Sequence, residues 1–276
     1  MVKSPLWRAV AAISVFLITY LLGDFLRFMG LRAVLDYTSF SLAVNLIQMA
    51  LAVAGIMLVF RIGPFGAAKE LGLKMPAKRA LAFAFLATLP MLLAFAFTSS
   101  ISAKATSLSI FAFGVFSPFA EELVFRGYLF RQLYRRAKLG FWPAAVMPSL
   151  LFGAGHIYQS NNFSEILGIV AITGLGSLFF CWIYMRWQDN LWVPFALHCL
   201  MNTHWMLFAV DETALGGWLA NIARLATVLA AILLTVYKDK IWKRLHAENA
   251  NVAEFDTELD DNASITNRIR LAGQAT

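Results

Sequence analysis

Residues 107–130 read SLSIFAFGVFSPFAEELVFRGYLF. The stretch is apolar and long enough to cross a bilayer as a helix, which takes about twenty residues. Its second half nevertheless carries Glu121, Glu122 and Arg126. Charged groups are costly in hydrocarbon, so inside a membrane helix they are expected to face the bundle interior and to mark function. Two further apolar stretches repeat the pattern, with Phe152 and His156 in one and His198 and Asn202 in the other.

The rest of the chain agrees with a membrane reading. Hydrophobic residues make up 60% of it and charged residues 14%, far below the roughly 25% charged average of soluble domains, and the mean hydropathy is +0.67. The net charge of +7 comes from short basic clusters between apolar segments, which suits membrane topology and not a nucleic-acid face. No nucleic-acid partner is expected. Cys181 and Cys199 lie in apolar segments without the short spacing of a thiolate metal site and read as small buried side chains.

Eight spans are expected, over about 8–29, 40–60, 80–98, 107–130, 142–157, 164–186, 191–209 and 217–237. The first carries Asp24 and Arg27 and lacks an A-x-A site, so it reads as an uncleaved span. The fifth is short, contains Pro148 and two glycines, and is expected to have a bent or partly broken backbone. Basic residues cluster at 61–79, 131–138 and 238–244. By the positive-inside rule this places both termini in the cytoplasm. The fold class is therefore all-α, a polytopic bundle over 1–245 with a catalytic core at about 70–210. A mobile polar cytoplasmic tail is expected at 246–276, containing His246. Residues 61–78, with Gly63-Pro64 and Met75-Pro76, read as a short interfacial helix or turn. Trp187, Trp192, Trp205 and Trp242 read as interface anchors, and His204, off the His198 face, as structural.

Side chains four apart share a helix face. Glu122 and Arg126 can therefore pair, leaving Glu121, about 100 degrees away, as the working carboxylate. Burial strengthens a carboxylate as a base. With His156, His198 and Asn202 it makes an inventory able to activate a water and stabilise an oxyanion. Glu121, His156 and His198 are also possible zinc ligands, of the two-His, one-Glu kind. No His-Glu-x-x-His motif is present, and zinc and metal-free mechanisms both stay open. Counting helical rise puts Glu122 and His198 roughly 10 to 14 Å below the cytoplasmic surface.

Glu-Glu-x-x-x-Arg, Phe-x-x-x-His and His-x-x-x-Asn, in that order within membrane helices, resemble the CPBP family of intramembrane proteases. That family comprises type 2 CAAX prenyl endopeptidases and bacterial relatives linked to bacteriocin processing or self-immunity. The likeness covers about residues 70–210, including Glu70-Leu71-Gly72-Leu73 upstream. It implies that Glu121 is the catalytic carboxylate, completed by His156, His198 and Asn202, with Glu122 and Arg126 supporting and Phe152 packing. The activity implied is an intramembrane endopeptidase acting on a membrane-associated or lipid-modified protein or peptide, multi-pass in a bacterial inner membrane. Two other functions fit the residues: a non-proteolytic self-immunity or scaffold protein, and a proton-coupled transporter.

Overall fold

The computed structural model describes residues 4–208 and 210–241. The expected tail at 246–276, with His246, and Trp242 lie outside the described residues. Each of the eight apolar stretches contains a helix: α1 (Pro5–Phe28), α2 (Tyr37–Phe60), α3 (Lys78–Thr98), α4 (Ser107–Arg136), α5 (Phe141–Ala154), α6 (Phe163–Arg186), α7 (Trp192–Leu207) and α8 (Trp218–Ile241). Among the described residues the only strand-like pairing is one bridge between Ile101 and Phe208. The protein is an all-α polytopic bundle. Met1–Ala231 forms one compact unit, which holds every candidate site residue. Ile232 begins a second, whose described part is the end of α8.

Among the described residues, six helices, α1 to α4, α6 and α8, are long and apolar enough to cross a membrane. With 14 and 16 residues, α5 and α7 fall short of the roughly twenty a full span takes. Both carry site motifs. The fifth stretch is shorter than the expected 142–157: α5 runs through Pro148 and stops at Ala154, before Gly155, so His156 lies beyond its end.

Helix starts follow local chemistry. Ser4 accepts from Trp7 N ahead of Pro5, Asp36 from Thr38 N and Ser39 N, and Asn162 from Ser164 N and Glu165 N. Each satisfies amides that the first turn leaves without a helical partner. The outer surface is apolar, with Phe28 87%, Leu58 78% and Phe97 85% exposed, a surface that acyl chains and not water can solvate.

The central helix is α4. Its most apolar window is 44% buried, against 22 to 39% for the other five spans, and every residue from Leu123 to Phe130 is buried. Ile110–Phe116, Leu123–Phe130 and Gln132–Arg136 are wound as π-helix, with α-helical Ser117–Glu122 between the first two. Such π-turns are rare and cluster at functional sites.

One end of α4 is locked by the end of the short helix Pro64–Glu70 and the segment after it. Glu70 pairs with Arg131 and Arg136, and Asp189, in the α6–α7 turn, pairs with Arg131 at 3.3 Å and Arg135 at 3.0 Å. Gly72 has φ +79°, and a Cβ there would stand 2.0 Å from Asp189 O. Only glycine allows that approach. Trp192 Nε1 donates to Leu73 O at 3.0 Å and Asn190 Nδ2 to Pro76 O at 3.1 Å. Trp192 is thus tied to the chain's own backbone. Trp187 is nearly buried, tilted against Phe83 at 4.9 Å, and is a packing residue, not an interface anchor.

Candidate active site

The α-helical stretch Ser117–Glu122 ends on the two carboxylates, and they meet opposite environments. The Glu122 side chain is fully buried, whereas Glu121 keeps 31% of its side chain accessible. Glu122 Oε1 lies 3.0 Å from Arg126 Nη1, one turn on and equally buried. The same oxygen lies 2.8 Å from His198 Nδ1 on α7. A carboxylate can only accept here, so His198 carries its proton on Nδ1 and keeps Nε2 for other work. That nitrogen is 3.9 Å from Glu121 Oε2, beyond direct hydrogen-bond length and within reach of one bridging water.

Buried charges cost more to desolvate than a simple pair returns unless further hydrogen bonds and packing complete them. The Arg126 guanidinium sits over the Phe152 ring at 4.9 Å and the Phe180 ring at 5.2 Å, and Nη2 donates to Ser177 O at 3.4 Å. Cation–π contacts of this kind gain strength where water is absent. Phe180 also lies 5.3 Å from the His198 ring. Sequence reading missed Ser177 and Phe180. A small residue and an aromatic in an apolar helix carry no signal that separates them from their neighbours.

His156 follows α5 after the Gly155 turn. Its Nδ1 lies 2.8 Å from Phe152 O; since a carbonyl accepts, Nδ1 holds the proton and Nε2 stays available. The two rings stand 4.8 Å apart, and Phe152 also packs on Phe125 at 5.1 Å and His198 at 6.3 Å. Phe152 thus packs against both histidines and the ion pair. Gly153 lets α5 approach α6, since a Cβ there would be 2.7 Å from Val170 O.

The structure therefore brings Glu121, Glu122, Arg126 and His198 together directly and links His156 to them through Phe152. Asn202 is half-buried one turn beyond His198 and is placed by helical register alone. His204 is buried off that face. Among the described residues, no group of three His, Cys, Asp or Glu side chains stands close enough to hold a metal ion. Glu121, His156 and His198, as placed, do not form the three-donor set considered from the sequence. With Nδ1 of each histidine committed to Glu122 or Phe152, what they offer is one nitrogen each.

Residues 103–204 match the family model described as Rce1-like, type II CAAX prenyl endopeptidase. Over 108 residues the chain is 28% identical to a curated protein of Bacillus subtilis (strain 168) named "Putative membrane peptidase YdiL"; the match covers 39% of this chain and 40% of that relative's length. No solved structure matches the chain. The family match holds Glu121, Glu122, Arg126, Phe152, His156, His198 and Asn202 within its bounds. Through residues 103–204 this chain is similar to the Rce1-like family of type II CAAX prenyl endopeptidases, the same group that its ordered motifs resemble.

Proposed function

We propose that the protein is an intramembrane endopeptidase in which Glu121 is the general base. The observation that carries this reading is the unequal fate of two adjacent carboxylates. Glu122 is sealed in a pair with Arg126 and spends its oxygen on orienting His198, while Glu121 stays accessible, 3.9 Å from the remaining His198 nitrogen. Glu121 and His198 Nε2 hold the two hydrogens of an attacking water, leaving an oxygen lone pair for the substrate carbonyl. As the C–O bond forms, the proton passes to Glu121, and the N–H of the Asn202 carboxamide stabilises the oxyanion, while His156, its proton held on Nδ1, presents Nε2 as an acceptor. Glu121 then returns the proton to the departing amine as the C–N bond breaks. No step in this sequence is routed through a metal.

The substrate is a peptide or protein presented at the membrane, and the organism of the matched relative supports a bacterial plasma-membrane setting. Glu121→Gln tests the reading, because it keeps the side chain's size and removes its basicity. Cleavage should fall by at least about 1000-fold, in keeping with loss of a general base from a hydrolytic site, with the protein still folded in the membrane. A self-immunity or scaffold function would survive the same substitution.

A further inference from the structure

Asn45 and Ser117 form a polar pair within the membrane-spanning helices that none of the motifs includes. Asn45 Nδ2 on α2 donates to Ser117 Oγ on α4 at 2.7 Å, and both residues are only partly buried. Ser117 stands four residues before Glu121 in the α-helical stretch Ser117–Glu122, so the two share a face one turn apart. Gln48, the next amide along α2, is used differently: its Nε2 donates to the backbone oxygen of Thr19 and joins α2 to α1.

With Nδ2 committed, Asn45 keeps Oδ1 as an acceptor and Ser117 keeps its hydroxyl proton as a donor. A donor and an acceptor side by side complement the N–H and C=O of a single extended residue, which project to the same side of a strand. One helical turn from Ser117 to Glu121 rises about 6 Å. Extended chain covers that length in about two residues. We propose that Asn45 and Ser117 hold the backbone of an extended peptide substrate at the residue about two places from the scissile bond. The proposal rests on the endopeptidase reading of Glu121.

The test uses the peptide sequence that wild-type membranes cleave and Glu121→Gln membranes do not, made as a synthetic series with a single N-methyl group moved along its backbone. Asn45→Leu, and independently Ser117→Ala, should raise KM about ten-fold, the value of one lost hydrogen bond, with kcat unchanged. N-methylation about two residues from the cleavage site should cost the wild type a similar factor and cost Asn45→Leu nothing further. The proposal is overturned if the variants lower thermal stability and kcat but leave KM alone, which is the behaviour of a contact that only joins α2 to α4. It is also overturned if N-methylation penalises wild type and Asn45→Leu equally. If no cleavage depends on Glu121, the endopeptidase reading itself fails and the subsite falls with it, an outcome separate from the other two.

Discussion

Glu122 Oε1 accepts the His198 Nδ1 proton at 2.8 Å while lying 3.0 Å from Arg126, so one buried oxygen both balances a buried cation and sets the tautomer of a site histidine. Removing the carboxylate charge leaves Arg126 uncompensated. Loss of one partner of a buried pair costs about 3–5 kcal/mol. Glu122→Gln should therefore lower the unfolding temperature sharply and activity with it. The double variant Glu122→Gln/Arg126→Met should regain much of the stability and little of the activity. A thermal-unfolding double-mutant cycle beside an activity assay checks this; additive losses of stability would show that the two residues are not coupled.

Phe180 belongs to none of the sequence motifs, yet it faces both Arg126 and His198. Phe180→Ala should cost about 3–5 kcal/mol as a buried aromatic truncation and reduce kcat. Phe179→Ala, at a less buried neighbouring position, should do less on both counts. Equal effects at the two positions would mean that Phe180 serves only general packing.

Burial raises the Glu70 carboxyl pKa, but the Arg136 and Arg131 guanidiniums beside it outweigh that and hold it below its ordinary value. A group whose pKa is lower folded than unfolded stabilises the fold above the unfolded value and loses that contribution as pH falls through the folded one. The unfolded value for Glu is about 4.3. Wild-type stability should therefore be level near neutral pH and drop on acidification below about pH 5. Glu70→Gln should start lower and show a shallower acid limb. Parallel stability–pH curves for the two proteins would remove Glu70 from the account.

Gly72 combines φ +79° with the approach of Asp189 O to 2.0 Å from where a Cβ would stand. Gly72→Ala should destabilise by about 1–3 kcal/mol through backbone strain alone, and more through the displaced Asp189 turn. Gly176, with nothing within 4 Å of an added Cβ, is the control, and Gly176→Ala should be nearly neutral in thermal unfolding.

The membrane helices were legible because hydropathy over about twenty residues is a strong signal. The Glu122–Arg126 pairing was legible because helical register brings residues four apart together. The missing parts are those in which tertiary contact decides. The π-turns of α4 are a choice of backbone hydrogen-bond partner and leave no mark in residue type. His156 was expected near the end of a span, but the Gly155 turn ends α5 first. The link from Glu122 to His198, 76 residues apart, and the tie from Trp192 to Leu73 depend on how separate helices pack. Glu70-Leu71-Gly72-Leu73 stood out in the sequence by likeness alone. The structure supplies its physical role, an ion-paired lock on the end of α4.

The central claim is that Glu121 activates water to cut a peptide bond. The most direct measurement compares peptide N- and C-termini, quantitatively, in membranes from cells expressing wild type or Glu121→Gln at equal levels. New termini present only with the wild type are the predicted result, and they would identify the substrate and its cleavage site. Identical profiles from wild type and Glu121→Gln, with both proteins folded in the membrane, would contradict the assignment.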